Sequence, residues 1–385
     1  MKKICIVIGS RANYSSIRSV LESISLNPKL ELQLIIGASA LLSRYGSVID
    51  LIEKDGFKVH AKVNMLIEGE TPTTMAQSTG IALINLPPIL ETLEPDVVLT
   101  VGDRFETMAT AISAAYMNIP LAHTMGGEVS GTIDESIRHA ITKFAHIHFP
   151  ASKDASERII KMGELSENVH LVGCPRIDVV KNILESNETV SSNLNKIFVQ
   201  GVGEKLDLNY PFLLVSQHPV TTEYGLGKEQ MLNTLQAVRQ INIPVIVLWP
   251  NADAGSNDLS KAIRVWREDG NSRGIHFFKN LPMEIYIQLM NRTKCLIGNS
   301  SSGIREGAFI GVPTVNIGTR QAGRERGKNV LDVDHSIDNI TEAIKKQIDH
   351  GPYKSEKIYG DGFSGEKIAQ ILSTQKVSVQ KKITY

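Results

Sequence analysis

Lys294-Cys295-Leu296-Ile297-Gly298-Asn299-Ser300-Ser301-Ser302-Gly303-Ile304-Arg305-Glu306-Gly307-Ala308-Phe309 is the stretch on which the fold turns. Cys295-Leu296-Ile297 is short and apolar, the pattern of a buried strand. Gly298 to Gly303 forms a small, polar turn, and Ile304 to Phe309 continues as a helix. Such a junction aims several backbone N–H groups at one point, with the positive end of the helix dipole behind them. That suits a phosphate or diphosphate. The serine hydroxyls add donors, and Glu306, one turn into the helix, is placed to accept from a ribose hydroxyl. An ordinary strand-to-helix loop capped by serine has the same pattern, so the rest of the chain must decide.

Around this stretch, strands at 212–215, 244–249, 275–278 and 314–317 alternate with helices at 229–241, 259–269 and 283–290. The first half repeats the scheme. Residues 4–8 read as a continuous apolar strand, Gly9-Ser10-Arg11-Ala12-Asn13 as its turn, and Ile17, Val20, Leu21 and Ile24 as one helix face. Strands follow at 30–36, 58–63, 96–100, 120–123, 147–150 and 170–172. The helices lie at 41–54, 74–93 (interrupted near Pro87-Pro88), 105–116 and 134–144. This alternation predicts an α/β chain of two doubly wound, Rossmann-like domains with a cleft between them. The expected division is 1–174 and 175–363, with a last helix at about 364–378 packing back on the first domain. A polar segment at 182–196 and a loop at Gly201-Val202-Gly203 mark the junction.

Composition narrows the function. The chain has 385 residues, and Lys+Arg and Asp+Glu both total 41, which argues against an electrostatic nucleic-acid binder. Three cysteines, Cys5, Cys174 and Cys295, fit a reducing compartment better than a disulfide framework. No apolar run is long enough for a signal peptide or a membrane span, so the expectation is a soluble, cytoplasmic protein without a membrane partner.

In doubly wound sheets ligands bind beyond the carboxyl ends of the strands. Three such loops in the first half are unusual: one carries Arg11 and Ser15, one is Gly102-Asp103-Arg104, and one is Gly126-Gly127-Glu128, followed by Asp134. The paired glycines let backbone approach a ligand closely. Asp103-Arg104 also reads as a surface ion pair, and Asp134 as a helix N-cap with Arg138 four residues on. Second-half loops carry Gln217 to Thr222, Asn251 to Ser256, and Gly318-Thr319-Arg320-Gln321. His218 sits in a post-strand loop, which favours function. His123, His139, His146 and His148 lack metal-ligand spacing and read as structural; no metal site is expected. Cys174 reads as inert. The three-glycine dinucleotide fingerprint is missing, so no nicotinamide or other cofactor is expected.

With these loops assembled, the sequence resembles the hydrolysing UDP-N-acetylglucosamine 2-epimerases, the epimerase half of the bifunctional epimerase/kinase of sialic-acid synthesis and its bacterial single-domain counterparts. The likeness runs through Ser10 to Ser15, Gly102 to Phe105, Gly126 to Lys143, Gln217 to Thr222, Pro250 to Ser256, Gly298 to Glu306 and Gly318 to Gln321. The block around Asp134 is the most specific. The resemblance implies a glycosyltransferase-like pair of Rossmann domains, and a homodimer or homotetramer. It implies UDP contacts from Arg11, Ser15, Arg104, His218, Asn251, Leu281, Ser300, Ser301, Glu306 and Arg320, and a catalytic set of Asp103, Glu128, Asp134 and His218. The implied reaction eliminates UDP to give a 2-acetamidoglucal, then adds water to give N-acetylmannosamine. The same chemistry on UDP-N,N′-diacetylbacillosamine, a non-hydrolysing epimerase and a non-catalytic nucleotide-sugar binder are the alternatives. Thr124-Met125 and Asn257 depart from the family pattern, at the sugar pocket and at an inhibitor contact respectively.

Overall fold

The computed structural model describes residues 1–43, 47–68, 71–130, 133–186, 197–198, 200–250, 255–279 and 281–384. The chain divides into two compact units. The first gathers Met1–Val129, Ile133–Val179 and Tyr359–Tyr385; the second is mainly Val180–Ile358.

Among the described residues the first unit holds six strands: β1 (Lys2–Ile8), β2 (Leu30–Gly37), β3 (Ala61–Val63), β4 (Val97–Val101), β5 (Leu121–Thr124) and β6 (Ile147–Phe149). Their order is β3-β2-β1-β4-β5-β6, parallel throughout. Ile4 to Ile8 are buried, as an apolar run in a parallel sheet covered on both faces requires. Ser10 caps the helix Arg11–Leu26 by accepting from the Asn13 N–H, and Thr71 and Thr74 form a capping box at the start of the helix Pro72–Leu93.

The second unit repeats the plan. Its strands are β7 (Val202–Gly203), β8 (Leu213–Ser216), β9 (Val245–Leu248), β10 (Ile275–Phe278), β11 (Cys295–Gly298), β12 (Thr314–Ile317) and β13 (Val330–Val333). They run β13-β12-β11-β8-β9-β10-β7, parallel except that β7 is antiparallel to β10. Leu213, Val215, Val245, Val247, Cys295 and Ile297 pack into one apolar cluster, whereas Leu214, Ile246 and Leu296 pack into another. Alternate residues of each strand thus feed opposite faces, and both faces are covered. In each sheet the order reverses direction once, between β1 and β4 and between β8 and β11. Those are the switch points at which such sheets bind ligands.

Several expected elements differ. The helix Pro72–Leu93 runs unbroken through Pro87 and Pro88. The carbonyls that lose their donors belong to Leu83 and Ile84, and Ile84 lies on the exposed face of the helix. The expected 41–54 helix is a short 3-10 turn, Ala38–Leu41, and a helix Val48–Lys54. Residues 170–172 only run beside β6, with His170 N–H on the His148 carbonyl at 2.9 Å. Val202–Gly203 is an edge strand, and most of the 182–196 segment lies outside the described residues. The last helix, Ser364–Thr374, ends before 378. Strand β13 and the helix Ile337–His350 went unread, although Ile340, Ala343, Ile344 and Gln347 show helical spacing and are buried.

Candidate active site

The opening stretch folds much as its pattern demands, with the helix starting earlier. Ser300 is the N-cap, its hydroxyl accepting from the Ser302 N–H, and the helix runs Ser301–Ile310. Ser301, Ser302 and Gly303 are therefore its first turn and not part of a turn before it. A chain of hydroxyls supports this end: Tyr286 Oη lies 2.5 Å from Ser302 Oγ, which lies 2.8 Å from Ser300 Oγ. Glu306 is buried one turn further on. The next strand's loop crosses behind, with Arg320 Nη1 and Gln321 Nε2 donating to the Asn299 carbonyl at 3.1 and 2.9 Å.

On the other side of the switch point, His218 follows β8 and is buried. Burial, and then the positive charge of Arg320, push its pKa down to about 3, so the imidazole is neutral at physiological pH. Beside it Gln217 is buried with neither side-chain amide atom hydrogen-bonded among the described residues. A buried polar group in that state costs about 1–3 kcal/mol, and such groups concentrate where ligands bind. Leu281 sits in the apolar cluster with Phe278, Ile287 and Met290. Asn251 lies outside the described residues.

The first unit assembles a second constellation at its own switch point. Arg11 is the exposed first residue of its helix, and Ser15 is half-buried one turn on. Asp103 follows β4 and takes a hydrogen bond from Arg138 Nε at 2.8 Å, with Arg138 Nη2 closing a charged pair. Arg138 is buried, and its Nη1 also holds the Glu128 carbonyl at 2.7 Å. One guanidinium thereby joins the loops carrying Asp103 and Glu128. Asp134 lies exposed in the first turn of the helix Ile133–Phe144, one turn before Arg138 on the same element. It is inside the helix and not its cap. Arg104 turns to Glu106, its Nε donating to Oε1 at 3.0 Å.

His123 explains why these loops hold their shape. It is fully buried, its Nε2 lies 2.9 Å from the Gly102 carbonyl, and its Nδ1 lies 3.2 Å from Thr142 Oγ1. Burial keeps it neutral, with a pKa of about 4. Packing alone already demands glycine at Gly127. A Cβ on Gly127, whose φ is +75°, would lie 2.4 Å from the Ala155 carbonyl oxygen, so the loop is pressed against the helix Lys153–Lys161.

Residues 22–373 match the model of the family described as UDP-N-acetylglucosamine 2-epimerase. The chain belongs to this family. A UDP-N,N′-diacetylbacillosamine 2-epimerase (hydrolyzing) of Legionella pneumophila is 34% identical, covering 97% of this chain and 96% of that one. A UDP-N-acetylglucosamine 2-epimerase of Neisseria meningitidis is 31% identical, over 99% and 98%. The fold is shared with the crystal structure of a Neisseria meningitidis UDP-GlcNAc 2-epimerase bound to UDP-GlcNAc. That comparison gives a TM-score of 0.83 at 17% identity, covering 97% of this chain and all of that one.

Within this epimerase fold, three residues matter to the site that the sequence did not single out for it. Asn299, Gln217 and Glu106 were read only as parts of motifs or helices. Glu106 is buried against the Gly9 turn, where a Cβ on Gly9 would strike its side chain at 2.3 Å. The available signal was position: each lies within five residues of a strand end at a switch point. No helix among the described residues is long and apolar enough to cross a membrane.

Proposed function

We propose that this epimerase-family enzyme is hydrolytic and converts UDP-N-acetylglucosamine to N-acetylmannosamine and UDP. The observation that carries the reading is the capped serine helix start of the second unit, beside a buried neutral His218 and the unsatisfied amide of Gln217. A nucleoside diphosphate answers all three. In this reading Ser300, Ser301, His218, Arg11, Ser15, Arg104 and Arg320 hold the UDP moiety. Glu306 takes a ribose hydroxyl, and Asn251 and Leu281 contact the nucleotide.

The C2 hydrogen of the sugar is not acidic, so cleavage of the C1–oxygen bond must lead. Negative charge then develops on the departing diphosphate, where preoriented N–H and O–H dipoles lower the barrier. Loss of the C2 proton to a carboxylate completes a 2-acetamidoglucal and free UDP. Water then adds, with its hydroxyl at C1 and a proton at C2 from the opposite face, giving the manno configuration. Asp103, Glu128 and Asp134 are the proton carriers, and Arg138 fixes two of their loops. Their presence in a chain that also carries a diphosphate site favours an enzyme over a non-catalytic binder.

A second reading, the same reaction on UDP-N,N′-diacetylbacillosamine, is favoured by the Legionella relative and its slightly higher identity. The second acetamido group is remote from the reacting C1–C2 bond, so the same machinery serves either sugar. Incubation with each UDP-sugar, followed by NMR of UDP and of the free sugar, tests both. Release of UDP with N-acetylmannosamine is expected. Turnover of the bacillosamine sugar alone would transfer the assignment, and epimerised UDP-sugar without free UDP would overturn hydrolysis.

A further inference from the structure

We propose that Asn299 is a positioning residue that locks His218 to the serine loop, so that the imidazole meets a nucleoside diphosphate in one fixed orientation. This rests on the reading of the serine loop as the UDP site. Asn299 lies between the end of β11 and the N-cap Ser300, and it is fully buried. Its Oδ1 accepts from the His218 N–H at 2.7 Å, and its Nδ2 donates to the His218 carbonyl at 2.8 Å. One side-chain amide therefore pairs with both backbone groups of one residue on the neighbouring strand's loop. The Asn299 N–H adds a third link, to the Ser216 carbonyl at 3.2 Å.

The local backbone makes this reach possible. Gly298 has a φ of +129°, and a Cβ there would lie 2.2 Å from the Ser216 carbonyl oxygen. Only glycine brings the two strand ends so close. The Asn299 carbonyl meanwhile accepts from Arg320 and Gln321. The loops after β8, β11 and β12 are thus joined at one residue, and each carries a group assigned to the diphosphate: His218, Ser300 and Arg320.

The chemistry specifies asparagine. Aspartate offers two acceptors, one of which would face the His218 carbonyl, and alanine removes both bonds to the His218 backbone. Either change frees the loop to wander while the fold around it stands. A loop free to wander gives up the preorganisation on which charge stabilisation depends.

A double-mutant cycle on UDP affinity, read by isothermal titration calorimetry, separates positioning from general support. Asn299→Ala is expected to weaken UDP binding at least about tenfold, the scale of two buried hydrogen bonds. In the His218→Ala background the same change is expected to cost less than about threefold, because the Asn299 side chain acts through His218 alone. Equal losses in the two backgrounds, or unchanged affinity in Asn299→Ala, would overturn the proposal. Should Asn299→Ala fail to fold, Asn299→Asp, which keeps the acceptor for the His218 N–H, runs the same cycle. Wild-type protein that binds no UDP would instead remove the diphosphate reading itself, so the two failures are told apart.

Discussion

In the proposed reaction, His218 and the three carboxylates divide the work by their surroundings. His218 is buried and already neutral, so in that reaction it would meet the departing diphosphate as an N–H donor and not as a cation. kcat/KM reports ionisations of the free enzyme, so its pH profile is expected to lack a His218 limb between pH 5 and 8. An acid limb near pH 6.5 that vanished in His218→Gln would refute this. For proton transfer, Glu128→Gln and Asp134→Asn are each expected to cut turnover at least about a hundredfold, the scale of general acid–base catalysis. Near-normal steady-state rates in either variant would remove that residue from the catalytic set. At this scale the sequence was informative about residue type and less so about partner. It offered Asp134 to Arg138 and Asp103 to Arg104, and the fold adds partners from farther away, Arg138 to Asp103 and Arg104 to Glu106. Sequence proximity favours the neighbour; only packing turns a guanidinium toward a different loop.

Among the elements, the helix Ile133–Phe144 carries Asp134 and Arg138 at one end and is anchored at the other. Lys381 Nζ donates to the Lys143 carbonyl at 2.7 Å and also to the carbonyl of Ala145, placing an ammonium on the negative end of the helix dipole. Glu164 gathers Lys381 at 2.7 Å, Lys143 at 2.6 Å and His148 at 3.0 Å. His146 adds a contact to the Val379 carbonyl. Burial alone would raise the Glu164 carboxyl, but hydrogen bonds from His148, Lys143 and Lys381 outweigh it and hold the pKa near 2. A depressed carboxyl contributes stability above its unfolded value of 4.5, lost as pH falls toward about 2. Glu164→Gln is therefore expected to lower stability at pH 7 by on the order of 2 kcal/mol, the scale of charged hydrogen bonds. The gap to wild type should close below pH 4 in urea denaturation; a gap constant from pH 7 to 3 would show that charge plays no part. This anchor was not legible in advance. Lys381 and Glu164 are separated by more than two hundred residues, and neither belongs to a motif.

For the whole chain, a ligand that binds only the folded state raises its stability by mass action. UDP at a hundred times its dissociation constant should add about 2.7 kcal/mol, seen as a concentration-dependent rise in Tm. A Tm indifferent to millimolar UDP would contradict the proposed site. The fold class was set by the sequence because its cause is local. Apolar runs of strand length, alternating with amphipathic helices and ending in Gly, Ser and Asp, leave a chain little choice but parallel sheets covered on both faces. The serine helix start was legible for the same reason, since capping and dipole act within one turn. What tertiary structure alone decided were the joins: Asn299 to His218, Arg138 across two loops, His123 beneath Gly102, and Lys381 on a distant helix end. Each links residues that become neighbours only when the strands take their order in the sheet, and strand order is a property of the whole fold that no local pattern encodes.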